Sequence, residues 1–285
     1  MSDIRPESQV QPSLIPPLDT LFFNPSLMEL EFLHEAVSAD DGEMRKRILE
    51  VQKDAKYPYP CILGFHHVAL MMSGNPIYPA VLKSGKRGDT VFLDLGCCMG
   101  TDVRKLVHDG YPAASVLGCD LRQEYIDLGY KLYRDQESSS IRFFTSDIFD
   151  VPLSFTQPAT RLEGLAGTKI ASLSQLIGSL THIYIGAVFH LFDEATQYAI
   201  ALRLATLLKR ERGAVIFGRH RGLEQEGMID DHLGRTRYGH SERSWPVLWK
   251  KVFTEAESAE FAERRVKVEA KLSEIFWQHV FGKGR

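Results

Sequence analysis

Asp94, Asp120 and Asp147 each close a short run rich in β-branched and aromatic residues: TVFLD, VLGCD and IRFFTSD. A carboxylate at the end of a strand can accept hydrogen bonds from hydroxyl or amino groups, or balance a cation. The first run continues into LGCCMGTD, a loop with glycines at 96 and 100 and a helical pattern beyond it. A dinucleotide loop needs Gly-x-Gly-x-x-Gly, because its middle glycine lets a pyrophosphate approach the backbone. Here Cys98 holds the central position. Its side chain crowds a pyrophosphate, and the charge of Asp94 opposes one. A ligand with an ammonium group and no phosphate suits the loop better. S-adenosylmethionine is such a ligand, with an amino-acid head, a ribose diol and an adenine, and the helix starting near Thr101 offers its N-terminus to the carboxylate.

Asp120 has the placement of an acid that accepts both ribose hydroxyls. That alone serves a nicotinamide dinucleotide equally well. The missing middle glycine and the additional Asp147 discriminate against one. Leu121 and Ile148, each next to a strand-end acid, are placed to sandwich a flat base. Taken singly, each aspartate is a solvated strand-end acid or a helix cap. Three in succession at three strand ends argue for a site.

A fourth apolar run, THIYIGAVFHLF, delivers Ala187, Phe189 and His190 to the same rim. Methyl transfer to oxygen is an in-line displacement in which the protein aligns the nucleophile and, for a phenol, removes a proton. His190 is the candidate catalytic residue. It suits the role of base toward a phenol, or of hydrogen-bond donor toward a carboxylate, which needs no base; a structural histidine beneath the adenosine is the remaining alternative. The long, mixed segment after the fifth strand run carries Arg219, His220, Arg237 and His240, candidates to hold an anionic substrate, and Trp245 and Trp249 on one helix face. Tyr59 and His67, within YPYPCILGFHH, are further candidates for substrate contact.

These residues require elements to position them. Strands are expected at 90–95, 114–119, 141–145, 181–187 and 213–218, and helices at 101–109, 122–134, 169–178 and 193–208. Such alternation gives parallel βαβ units with helices on both faces of an open sheet. Two alternating runs near the C-terminus, in ERRVKVEAKLSEIFWQHVFGKG, read as an antiparallel hairpin. The expected fold class is therefore α/β: a doubly wound, mostly parallel seven-stranded sheet with an antiparallel C-terminal hairpin and a helical N-terminal cap. Residues 1–85 make the tail and cap, with Ser26 and Asp40 or Asp41 as N-caps. Residues 86–285 make the cofactor domain, with an insertion at about 219–257. The cap serves either as a lid over the cofactor or as a homodimer interface.

The 285 residues carry a net charge of only −3, with 44% apolar and 25% charged side chains and no single-sign block, which gives no case for nucleic-acid binding. The longest apolar stretch falls far short of the ~20 residues of a membrane span. With no basic segment leading into an apolar core at the N-terminus, a cytoplasmic location is expected. Cysteines at 61, 97, 98 and 119 form no Cys-x-x-Cys pair and read as packing residues; no metal is expected.

The segment FLDLGCCMGTDVRKL resembles motif I of class I S-adenosylmethionine-dependent methyltransferases. The resemblance implies that Asp94, Gly96, Gly100, Asp120, Leu121, Asp147, Ile148 and Ala187 bind the cofactor, with Asp147 accepting from the adenine amino group. Together with YPYPCILGFHH and GAVFHLFDEATQ, it is similar over roughly residues 20–280 to fungal methyltransferases of meroterpenoid biosynthesis. That similarity implies a methyl ester formed on the carboxylate of a large hydrophobic acid, a farnesylated aromatic polyketide. Cys97-Cys98-Met99 departs from the Gly/Ser/Thr-rich loop of the wider superfamily. The alternatives are a phenol O-methyltransferase of secondary metabolism and a non-catalytic cofactor-binding partner subunit.

Overall fold

The computed structural model describes residues 20–55, 60–153, 165, 168–229 and 236–273. Two helices open it, α1 (Leu27–Ala36) and α2 (Asp41–Asp54). Ser26 and Glu29 cap α1 reciprocally: the Glu29 amide donates to Ser26 Oγ at 3.3 Å, and the Ser26 amide donates to Glu29 Oε2 at 2.7 Å. Asp40, of the two expected caps, starts α2 by accepting from the Glu43 amide at 2.7 Å. Short helices α3 (Pro60–Leu63) and α4 (Tyr78–Gly85) follow.

The alternating part begins with β1 (Phe92–Leu95), α5 (Thr101–His108), β2 (Val116–Asp120), α6 (Gln123–Tyr133) and β3 (Arg142–Thr145). It continues through β4 (His182–Gly186), α7 (Glu194–Leu207) and β5 (Val215–Arg219). These five strands are all parallel, in the order β3-β2-β1-β4-β5. Every residue of β1 and β2 is buried, as expected of central strands covered on both faces. The order reverses beside β1, so β1 and β4 deliver their C-terminal ends to the crevice where doubly wound sheets bind ligands.

The doubly wound parallel architecture with its helical N-terminus matches the sequence expectation, although the described sheet has five strands where seven are expected. The described antiparallel pair is β6 (Gly227–Ile229) with β7 (Arg237–Gly239), inside the expected insertion rather than at the C-terminus. Beyond α8 (Ser244–Ala256), Ser258 caps a helix α9 (Ala259–Arg265), and residues 266–273 form no strand. Val266 and Val268 alternate because they pack on the core, not because they join a ladder. The second run of the expected hairpin lies outside the described residues, as does the N-terminal tail up to residue 19. The helix expected at 169–178 is a single turn, Leu173–Leu176, closed by a Ser172–Gln175 capping box and followed by Gly178 at φ 64°.

The N-terminal helices do not stand apart from the sheet domain. Buried Phe32, Leu33, Ile48 and Val51 share one apolar cluster with Met99 of the glycine loop and with Leu128 and Leu132 of α6. Much of the apolar surface that the sequence offers to a lid or a second subunit is thus covered by α6 of the same chain. Among the described residues, no helix is long and apolar enough to cross a membrane.

Candidate functional site

The rim formed by the C-terminal ends of β1, β2 and β3 carries the three aspartates in sheet order. Asp94 is 3% exposed, and burial pushes its carboxyl well above the usual range, with Asp102 and Asp120 adding repulsion. Past it the chain turns back through three positive-φ residues, Gly96 (82°), Cys98 (52°) and Gly100 (72°). A Cβ on Gly96 would lie 2.7 Å from Val188 Cγ2, so glycine lets this loop approach the loop after β4. The strain at Cys98 is offset by a hydrogen bond: its amide donates to Asp120 Oδ2 at 2.8 Å. The other oxygen of Asp120 accepts from the Arg122 amide at 3.0 Å. Asp120 therefore ties the two loops together, and as a carboxylate it keeps acceptor capacity for a further donor.

A cleft of about 580 Å³ adjoins this carboxylate, lined in part by Leu121, Thr145, Ser146, Asp147 and Asp150. Leu121, next to this strand-end acid, is 51% exposed. Asp147 caps the turn Ile148–Asp150 through the Phe149 amide at 2.9 Å, and Ile148 is half-buried against the core.

Gly129 of α6 is required by the same loop, since a Cβ there would meet the Met99 carbonyl oxygen at 2.3 Å. Arg104 fixes the loop from the other side. Its guanidinium donates to the Met99 carbonyl at 2.7 Å and to both oxygens of Asp135 at 2.7 and 2.8 Å, and its carbon lies 4.3 Å from the Tyr133 ring centre. No feature of the linear sequence marks Arg104 or Gly129 for this work.

The segment after α3 closes over the start of α5. Thr101 Oγ1 donates to the His67 carbonyl at 2.5 Å, and the amides of Met71 and Met72 donate to Asp102 Oδ1 at 3.0 and 2.9 Å. The Leu70 amide donates to Glu29 of α1 at 3.0 Å. Burial raises the Asp102 carboxyl to about 7, against the lowering effect of those two amides. The first turn of α5, where the sequence suggests a place for a ligand carboxylate, carries the half-buried Asp102, which holds the cap segment.

Substrate-contact expectations fare unevenly. His67 is buried, stacked on Phe65 at 5.8 Å, and burial lowers it to about 3, so it is a packing residue of the cap. Its neighbour His66 lies near Arg219 instead and is lowered to about 4 by burial and by that cation. Phe65, at φ 57°, sets the backbone from which the two adjacent histidines diverge. Phe189 is buried, 5.0 Å from Trp245 and 6.3 Å from Trp249, so it backs the rim rather than lining it. His220 and His240 flank Trp245 at 4.3 and 5.3 Å. Burial lowers both, His220 to about 4, so near neutral pH they are uncharged and offer hydrogen bonds rather than cations. His240 Nδ1 is 2.9 Å from Ser244 Oγ.

Ala187, at φ 57°, donates its amide to the Arg219 carbonyl at 2.7 Å, and His190 lies half-buried on the turn Phe189–Leu191. The insertion is pinned to this turn: the Tyr238 amide donates to the Phe192 carbonyl at 3.0 Å, and Gln197 Nε2 to the Tyr238 carbonyl at 2.8 Å. Tyr59 lies outside the described residues. Among the described residues there is no cluster of His, Cys, Asp or Glu that could hold a metal ion, and Cys97 and Cys119 are buried free thiols.

S-adenosylmethionine suits these acidic and apolar groups. Asp94 is a buried carboxyl and Asp102 a half-buried one, a cation beside them would favour their ionised forms, Asp120 keeps acceptor capacity, and Leu121 offers an apolar face beside the cleft.

Sequence comparison places the chain among known proteins. It is 32% identical over 201 residues to O-methyltransferase phiE of Fungal sp. (strain ATCC 74256), a match covering 70% of this chain and 61% of phiE. It is 36% identical to the Asnovolin E/Chermesin D methyltransferase nvfJ of Aspergillus novofumigatus, covering 70% of this chain and 65% of nvfJ. It is 32% identical to Methyltransferase adrK of Penicillium rubens, covering 72% of this chain and 70% of adrK. The chain thus spans less than two thirds of the length of phiE and nvfJ. It belongs to this family of fungal methyltransferases. No protein-family model matches it. Among solved structures, an S-adenosylmethionine dependent methyltransferase from Mesorhizobium loti aligns at 14% identity and a TM-score of 0.39, covering 64% of this chain and 82% of that one.

Proposed function

We propose that this chain is an S-adenosylmethionine-dependent O-methyltransferase that forms a methyl ester on the carboxylate of a hydrophobic acid of fungal secondary metabolism. The observation that carries the reading is the row of Asp94, Asp120 and Asp147 at the ends of three adjacent parallel strands, with exposed Leu121 at the cleft beside the last two. The cofactor, when bound, supplies an electrophilic methyl group on a sulfonium. Asp120 holds the ribose diol, Asp147 accepts from the adenine amino group, and Leu121 and Ile148 cover the base.

The acceptor side is His190 with the insertion wall of His220, Trp245 and His240. Uncharged imidazoles orient an acceptor by hydrogen bonds, while the aromatic wall excludes water and favours an oily body. A carboxylate acceptor is already a nucleophile, so His190 serves it as a donor that orients one oxygen. Residues 1–85 act as the cap and 86–285 as the catalytic domain, in a cytoplasmic protein. The relatives support the wider placement: phiE is named an O-methyltransferase, and nvfJ a methyltransferase of asnovolin E and chermesin D. A farnesylated orsellinic-type acid is the acceptor to try.

The test incubates the protein with methyl-labelled S-adenosylmethionine and that acid, then treats the product with mild alkali. Release of the label marks a methyl ester. Label that resists alkali marks a phenol ether or carbon methylation and removes the carboxylate reading.

A further inference from the structure

His240 stands directly after β7, whose Tyr238 amide is bonded to the Phe192 carbonyl beyond β4. The His240 carbonyl accepts from the Leu223 amide at 3.0 Å, and a Cβ on Gly222 would lie 2.9 Å from that oxygen, so the chain after β5 closes tightly on it. The residue is 5% exposed, with the rings of Tyr238 and Trp245 edge-on to its own at 5.1 and 5.3 Å. One ring nitrogen is tied down and the other is not. Nδ1 lies 2.9 Å from Ser244 Oγ, whereas the buried Nε2 has no hydrogen-bond partner among the described residues. A buried polar atom ordinarily has one.

The proton positions follow from two serines. Ser241 Oγ donates to Glu226 Oε2 at 2.6 Å and accepts from the amides of Arg243 and Ser244 at 3.2 and 3.1 Å. Ser244 Oγ accepts from the Ser241 amide at 2.9 Å, which leaves its own hydrogen for His240 Nδ1. Burial keeps the ring uncharged, so its single proton is on Nε2.

We propose that Ser244 holds His240 in the Nε2–H form and that this N–H binds the methyl acceptor, at the carboxylate oxygen that is not methylated. The sheet order divides the rim. The three aspartates end β3, β2 and β1, whereas the turn carrying His190 follows β4 and His220 follows β5. His240 joins that second half through Trp245, which lies between it and His220. A donor there suits an anionic oxygen. It is not placed to act as a base toward a phenol, because Nδ1 is occupied by the Ser244 hydroxyl and Nε2 already carries the proton. A carboxylate has two oxygens and uses two donors, His190 for one and His240 for the other. Its negative charge is lost as the ester forms, so a donor to the remaining oxygen contributes to binding more than to the chemical step. Ser244 is accordingly a positioning residue, anchored through Ser241 to Glu226.

This assignment rests on the carboxylate reading above, and two measurements separate them. The first needs no acceptor: long-range proton–nitrogen NMR of the histidine-labelled chain, with His240 identified by its absence from His240→Gln. The expected spectrum has Nε2 protonated and Nδ1 bare in the natural chain, and a mixture of the two forms in Ser244→Ala. A protonated Nδ1 in the natural chain overturns the proposal. The second is steady-state methylation of the farnesylated orsellinic-type acid. His240→Phe, which has no donor, should raise KM for the acid about tenfold, with the effect on KM rather than on kcat. His240→Gln, whose amide nitrogen keeps a donor near the Nε2 position, and Ser244→Ala should raise it only about threefold. His240→Gln remains informative if either of the others folds poorly. A KM unchanged in His240→Phe overturns the donor role, as does an equal loss in His240→Phe and His240→Gln, or a matching loss of S-adenosylhomocysteine affinity. Failure of the natural chain to methylate the acid overturns the carboxylate reading itself, and the donor role with it, even where the NMR shows the expected form of the ring.

Discussion

Asp102 is one side chain with two duties, since it holds two backbone amides of the cap segment and stands beside the charged rim. Its folded pKa, about 7, lies above the ordinary value of 3.8. A group raised in this way contributes most to stability below about pH 4, and that contribution is lost as pH climbs through 7. Asp102→Asn keeps an oxygen for both amides and removes the titration. The melting temperature of the natural chain should therefore fall, relative to Asp102→Asn, between about pH 4 and pH 7; parallel curves across that window would place the titrating group elsewhere. Residues of this kind are the least legible in sequence. Asp94, Asp120 and Asp147 stand out because each closes an apolar run, a one-dimensional signal. Asp102 and Arg104 gain their significance from partners far away along the chain, and no spacing rule reports those. That His67 packs inward while His66 lies near Arg219 is equally hidden, because a non-glycine residue at positive φ precedes them.

Arg104 links α5, the glycine loop and the chain after α6, so its loss is an event at the level of elements. The Arg104 side chain is 7% exposed and that of Asp135 21%, which makes this a largely buried pair. Removing one partner leaves the other charge without compensation. Arg104→Ala should cost about 3–5 kcal/mol, read from the midpoint of urea unfolding; a loss under about 1 kcal/mol would mark the pair as a surface-type interaction. The strands and helices of the sheet are readable in sequence because parallel central strands are continuous apolar runs with turn residues between them. The chain after α8 is not readable in the same way. Val266 and Val268 show a strand-like alternation, while the decisive signal is Ser258 capping a helix just upstream.

At the scale of the whole molecule, the N-terminal helices and the sheet domain share one apolar cluster that includes Met99 of the glycine loop. Two bodies joined through a common core lose their packing together. Scanning calorimetry of the chain should show one transition, with calorimetric and van't Hoff enthalpies in agreement. Two resolved transitions would mean that the cap melts by itself. Helical periodicity announces the cap but not its docking, because an amphipathic face does not say which partner it will meet.

The pairing of Met71 and Met72 with a single oxygen of Asp102 has a spectroscopic consequence. Any excursion that lifts the segment from α5 frees two adjacent backbone protons at once, and both face a carboxylate while it is closed. Those two amides form a native reporter, whose deuterium uptake clocks the opening of the roof above the glycine loop without a label or a ligand.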